Sequence, residues 1–212
     1  MNSALDLFCG GGGAAMGLHR AGFKVTGIDI NPQPLYPFEF IRGDALEADL
    51  TGFDLVWASP PCHAYSHINV YTHGNADRHP DLLDATRAKL EAWGGNWIIE
   101  NVKGSPMRGH LMLCGTMFGL RIVRHRYFEA SFDLPLLVPS CDHSDVYDPF
   151  NGPGRTPEKF QKAMGIDWLP LACGHARKRG VTGDINNAIP PAYSEFIGNH
   201  FCKHNEIYPL PF

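Results

Sequence analysis

The sequence predicts an α/β fold: a mostly parallel sheet with helices on both faces, plus a small irregular segment. Three observations predict it. Short apolar runs bounded by turn residues recur at 4–8, 24–29, 53–61 and 96–102. Segments of helical period stand between them, at 14–21 and 81–93. Strands that alternate with helices need crossover connections, and those make parallel sheets.

Each element has its own signal. "ALDLF" is a short apolar strand, and "GGGG" at 10–13 is a turn that glycine tolerates freely. Ala14, Leu18 and Ala21 then recur at helical spacing, and Gly22 suits the helix end. "KVTGID" completes half of a βαβ unit. "IRGDAL" follows, with Asp44 at the end of the third strand. "FDLVWASPP" is a buried strand stopped by proline. Residues 63–80 are polar and aperiodic, a long loop of the kind that usually carries function. "DLLDATRAKLEAW" is a helix with Gly94 at its end, and "NWIIENV" is another buried strand. "RHRYFEASF" reads as a strand, 133–184 as irregular, and "IPPAYSEFIGNHF" as a helix opened by proline. The expected organisation is a catalytic and cofactor-binding core at 1–126, a short irregular segment at 127–185, and a C-terminal part at 186–212 that packs back on the core.

The chain has 212 residues, enough to bury a core in one domain. Hydrophobic content of 44% against 19% charged excludes a disordered chain. A net charge of -4 gives no general attraction to nucleic acid, so such a partner must meet a local basic face. No apolar run approaches membrane-spanning length, and the N-terminus lacks a secretory pattern. The expected location is therefore the cytoplasm. The six cysteines then point to free thiols, catalysis or metal binding before disulfides.

Several residues offer chemistry. The glycine turn lets a ligand approach the backbone, and Asp29, at the end of the second strand, stands where an acid can hold a ribose. The blander alternative is a tight turn at the sheet. A dinucleotide or S-adenosylmethionine would both suit the turn. Asp44 adds a carboxylate for an adenine amine, which favours an adenosyl ligand without pyrophosphate. Cys62 follows two prolines just beyond a strand's carboxyl end, where crevices of open sheets lie, and this favours a nucleophile over a core filler. Glu100 ends a buried strand, where a carboxyl must be paired or protonated. Arg124 and Arg126 alternate along a strand and share a face. The basic stretch "HARKRG" at 175–180 is either a phosphate contact or an exposed loop.

These pieces, in this order, resemble the cytosine-5 DNA methyltransferase family. "DLFCGGGGAAMGLHRAGF" is similar to its cofactor motif, and "GID" and "GDA" to its ribose and adenine carboxylate positions. "SPPCHAYS" resembles the Pro-Cys motif, "ENV" the Glu-Asn-Val motif, "RHR" the paired arginines, and "NNAIPPAYSEFIG" the C-terminal motif. The resemblance implies a Rossmann-like S-adenosylmethionine-dependent methyltransferase fold. It implies that Cys62 adds to C6 of a cytosine flipped out of duplex DNA. Glu100 would contact N3 and the exocyclic amine, and Arg126 the base O2, with Arg124 in support. Ser66 and Asn101 would contact the substrate. Phe8, Gly10, Gly12, Asp29, Ile30, Asp44, Ala45 and Asn187 would contact the cofactor.

Four positions depart from the family pattern: His63 for glutamine, Asp29 for glutamate, Ile122 for glutamine, and Asn186 for glycine. Only residues 127–185 stand where sequence-reading members carry a long recognition segment, so weak or short specificity is expected. Methylation of RNA or a free cytosine nucleotide, or a non-catalytic nucleic-acid-binding module, are the alternatives. A monomer in a bacterial or phage-infected cell is expected, with restriction-modification and phage self-protection both compatible.

Three Cys-x-His units, at 141–143, 173–175 and 202–204, leave one further pattern. Cys141, His143, Cys173 and His175 have the ligand types of a Cys2His2 zinc site. The usual finger spacings are absent, and the expectation is four polar residues near a surface with no metal.

Overall fold

The structure, a computed structural model, describes residues 1–65, 81–146, 156–170 and 185–207. Seven strands form one sheet: β1 (Ser3–Leu7), β2 (Lys24–Asp29), β3 (Glu39–Arg42), β4 (Leu55–Ala58), β5 (Trp97–Asn101), β6 (Leu111–Leu113) and β7 (Arg126–Ala130). Their spatial order is β3-β2-β1-β4-β5-β7-β6. The first five pair in parallel, while β7 runs antiparallel to both β5 and β6. This is a Rossmann-like sheet with one reversed strand.

The described helices are α1 (Gly13–Arg20), α2 (Leu83–Trp93), α3 (Pro157–Met164) and α4 (Pro191–Ile207). Side chains alternate across the sheet with the period of two that a strand imposes. Ala4, Leu55, Trp57, Ile98 and Phe128 pack beneath Ala15 and Leu18 of α1 and Tyr193, Ile197 and Phe201 of α4. Leu5, Leu7, Val56, Ala58 and Ile99 pack on the other face against Leu83 and Leu90 of α2. Helices therefore cover both faces, as the sequence predicts.

The C-terminal part docks on α1. A Cβ on Gly17 would stand 2.0 Å from the Pro191 carbonyl oxygen and 2.1 Å from Ser194 Oγ. Glycine is what lets the two helices approach this closely. Ser194 Oγ uses the proximity to donate to the Ala14 carbonyl at 2.8 Å.

Three elements escaped the sequence reading, one of them a 3-10 turn at Gly115–Phe118. β6 has only three residues. α3 lies inside the stretch read as irregular; Thr156 Oγ1 caps it by accepting from the Lys159 amide, and Gly165 ends it in a left-handed conformation. Phe160 and Met164 of α3 join Ile122, Ile166, Leu169 and Ile185 in a third apolar cluster. Trp168 Nε1 donates from this cluster to the Gly11 carbonyl at 2.8 Å. The sheet continues to Ala130, past the core limit expected at 126. Residues 131–146 contain neither helix nor strand. No described helix is long and apolar enough to cross a membrane.

Candidate active site

The chemistry collects at the carboxyl edge of the parallel strands, the edge where open α/β sheets bind ligands. The glycine turn leaves β1, Asp29 ends β2, Asp44 follows β3, Cys62 follows β4, and Glu100 is the penultimate residue of β5. β7 is antiparallel, so its first residue, Arg126, reaches the same edge.

The turn after β1 is held tightly. Phe8, Gly10 and Gly12 all have positive φ, at 57°, 49° and 83°. The Gly12 amide donates back to the Cys9 carbonyl at 3.0 Å. Asp29 braces the turn: its carboxylate accepts from the Gly10 amide at 3.1 Å and from the Asn31 amide at 2.9 Å. Ile30, next along, is 63% exposed, an apolar surface left open beside that carboxylate. Asp44 accepts from the Leu46 amide at 2.9 Å. Ala45 is buried and Asn187 is exposed. A cavity of about 310 Å³ includes Asp44, Gly43, Ile41 and Phe53 in its lining but reaches neither Asp29 nor the glycine turn.

Cys62 is half-buried in a turn closed by the Tyr65 amide donating to its carbonyl at 3.0 Å. Burial, and then the Glu100 carboxylate, push its thiol above the ordinary range, while Arg126 and Arg124 oppose. Cys62 therefore rests as the thiol at neutral pH. Glu100 is itself shifted upward by burial, against Arg126, Arg124 and a hydrogen bond from Ser59. Arg126 Nε donates to Glu100 Oε1 at 2.9 Å, and both side chains are largely buried. A pair taken out of water gives little net stability, but it fixes both groups in one geometry.

Arg124 is buried and differently employed. Its Nη2 donates to the Asn186 carbonyl at 2.6 Å, and its own carbonyl accepts from Tyr193 Oη at 2.6 Å. It ties the residues before β7 to the C-terminal part, while its Nε has no hydrogen-bond partner among the described residues. Asn101, expected at the substrate, is fully buried; its Nδ2 donates to the Pro60 carbonyl at 3.2 Å and its Oδ1 accepts from the Val102 amide at 2.8 Å. One of these bonds ties it to the turn that presents Cys62.

Two residues were missed in the sequence. Ser59 links the Trp57 indole, which donates to it at 3.0 Å, to Glu100. Asp6 is fully buried in β1; burial and then Asp29 raise its pKa well above the carboxylate range, while Tyr36 and the Ala15 amide oppose. A lone acid in an apolar strand was its only signal. Ser66, Cys173, His175 and the basic stretch at 175–180 lie outside the described residues. Cys141 and His143 do come together with ligand-type residues, but these are Cys114 and His125.

A family model for the C-5 cytosine-specific DNA methylase matches residues 2–107. A search of curated proteins finds no match. Among solved structures, DNMT2 of Spodoptera frugiperda, as a triple mutant, is 19% identical over 60% of this chain and 49% of that one, with a TM-score of 0.46. A protein encoded within an E. coli prophage and described as a DNA modification methyltransferase is 17% identical over 60% of this chain and 45% of that one, with a TM-score of 0.48. This chain spans about half the length of either. EhMeth, a methyltransferase of Entamoeba histolytica, is 12% identical over 99% of both chains, with a TM-score of 0.60, a likeness of fold across the whole molecule. With a family model matched over half its length, on residues that include the glycine turn, Cys62 and Glu100, the chain belongs to the C-5 cytosine-specific DNA methylase family.

Proposed function

We propose that this chain transfers a methyl group from S-adenosylmethionine to carbon 5 of cytosine in DNA, through a covalent bond between Cys62 and carbon 6. The observation that carries the reading is the convergence of Cys62 with the Glu100–Arg126 pair at one sheet edge, beside the glycine turn.

The residues present fit the cofactor. A side chain on Gly10 would stand in open space, with nothing within 4 Å, so the turn leaves room at the backbone. Asp29 offers a carboxylate to a ribose, and exposed Ile30 offers an apolar face to an adenine. Phe8, Gly10, Gly12, Asp29, Ile30, Asp44, Ala45 and Asn187 are the residues we assign to holding it. When bound, it supplies an electrophilic methyl group.

The chain's own residues do the rest. As solvent takes the Cys62 proton, its sulfur bonds to C6, and electron density moves to C5 and N3. Glu100 hydrogen-bonds N3, and its raised affinity for a proton suits that task. Carbon 5 would then accept the methyl group that the cofactor supplies and give up its proton to solvent. The sulfur–C6 bond breaks last and restores the ring. Arg126 holds Glu100 and faces the base, whereas Asn101 acts through the Cys62 turn and is a positioning residue. On duplex DNA the base must leave the stack, at a cost of a few kcal/mol. Residues 127–185 are too few for a large reading domain, which supports weak or short sequence specificity.

Duplex DNA with 5-fluorocytosine tests this, because fluorine blocks the final proton loss. With S-adenosylmethionine the protein should stay covalently attached on a denaturing gel, and Cys62→Ala should not. Labelled methyl transfer to single-stranded DNA, tRNA and dCMP runs beside it. Transfer to tRNA or dCMP alone would overturn the DNA substrate and keep the chemistry.

A further inference from the structure

The described chain brings two cysteines and two histidines together outside the site above. Cys114 follows β6, His125 stands between the two arginines, and Cys141 and His143 come from the segment after β7. One ligand atom from each lies within 4.8 Å of every other. His125 Nε2 is 3.4 Å from Cys141 Sγ, and His143 Nε2 is 3.6 Å from Cys114 Sγ. Bond lengths of about 2.3 Å to sulfur and 2.0 Å to nitrogen place S and N roughly 3.5 Å apart around a tetrahedral zinc ion. Two edges therefore match already. The third, Cys141 Sγ to His143 Nε2 at 2.6 Å, must open by about 1 Å.

We propose that Cys114, His125, Cys141 and His143 bind one structural zinc ion. Two sulfurs and two imidazole nitrogens in a tetrahedral set are the ligands that select zinc. Four protein ligands close the coordination shell, so the ion has no open position for catalysis. The surroundings suit it. Thr116 Oγ1 lies 3.5 Å from Cys114 Sγ and 3.6 Å from Cys141 Sγ, placed to donate to sulfur as outer-shell groups do. All of these cysteines are free of disulfides.

The fold supplies a reason for an ion here. Residues 131–146 have no ladder of backbone hydrogen bonds to hold them. Zinc ties this segment to the loop after β6 and to the start of β7, and metal binding of this kind is folding free energy. It also fixes the backbone between Arg124 and Arg126. That consequence for methyl transfer rests on the proposed function; the metal site itself does not.

The test uses the full chain, purified without a polyhistidine tag or chelator. Metal analysis should find about one zinc per chain, the stoichiometry of a structural site. Exchange with cobalt(II) should give the intense visible bands of a tetrahedral ion with sulfur-to-metal charge transfer. Cys141→Ser and His143→Ala should each lose the ion, and Cys202→Ser should keep it. A wild-type protein without zinc whose cobalt complex is six-coordinate would overturn the site, as would a Cys114–Cys141 disulfide in the freshly purified chain. Zinc retained in both variants but lost in Cys173→Ser would overturn the ligand assignment. Methyl transfer is measured on the same samples, so zinc without activity would count against the enzymatic reading alone.

Discussion

Asn101→Ala separates positioning from substrate contact. The native side chain donates to the Pro60 carbonyl at 3.2 Å and accepts from the Val102 amide at 2.8 Å, and it is fully buried. Alanine leaves the Pro60 carbonyl without its donor. An orphaned buried acceptor costs about 1–3 kcal/mol. For a chain of this size that lowers Tm by roughly 2–12 °C. Pro60 is two residues from Cys62, so the freed turn also displaces the nucleophile. A misplacement near 1 Å costs on the order of 100-fold in rate. The variant should therefore show kcat reduced by about 10- to 100-fold, with KM for DNA and for S-adenosylmethionine within about twofold of wild type. Thermal unfolding and steady-state kinetics on one preparation give all four numbers. Wild-type Tm and kcat with a raised KM for DNA would refute the reasoning and put Asn101 against the substrate.

Two further substitutions probe the packing and the charges. In Gly17→Ala the new Cβ meets the Pro191 carbonyl at 2.0 Å and the Glu195 amide nitrogen at 2.7 Å, so α4 has to retreat from α1. Overpacking against backbone costs about 3 kcal/mol, or roughly 6–12 °C in Tm; an unchanged melting curve would mean that the helices do not approach as described. Glu100→Gln removes the carboxylate that, after burial, raises the Cys62 thiol. Because a raised thiol ionises only above the ordinary cysteine range, alkylation of wild-type Cys62 should be slow at neutral pH and accelerate as pH rises. The variant should shift that profile to lower pH while losing methyl transfer. Peptide mass spectrometry resolves Cys62 from the other thiols, and a shift to higher pH would contradict the assigned electrostatics.

Much of this architecture is legible in sequence because its signals are local. The strands and helix of the βαβ start, the glycine turn, and the prolines before Cys62 each lie within a few residues of the feature that reveals them, and Asp29 is found because it ends the next strand. α2 begins at Leu83 rather than Asp81, the usual uncertainty of a helix end. α3 was hidden although Thr156, Pro157 and Gly165 mark its ends, because the surrounding composition reads as loop. What stays illegible depends on tertiary pairing. Nothing local says that β7 runs antiparallel between β5 and β6. For the same reason the Cys141–His143 pair was visible as a doublet, but its partners, set by Leu113 standing opposite Arg126 in the β6–β7 register, were not. Arg87 and Glu129, a buried ion pair at 2.8 Å joining α2 to β7, are likewise far apart in sequence and left no mark.

The reversed strand explains why these hidden features cluster. A parallel strand delivers its carboxyl end to the ligand edge, and β7 delivers its first residue instead. Arg126 therefore meets Glu100 at the very start of a strand, where the sheet restrains the backbone on one side only. The chain compensates at each neighbouring residue. Arg124 is fastened by the Asn186 carbonyl and the Tyr193 hydroxyl, and His125 turns its ring to Cys141. Glu129, further along, is gripped by Arg87 and by the Arg108 amide at 2.8 Å. Packing buries the middle of the strand at Phe128, but not the residues just before Phe128. Polar ties on consecutive residues hold the guanidinium there, and the proposed zinc ion would add a further tie beside them.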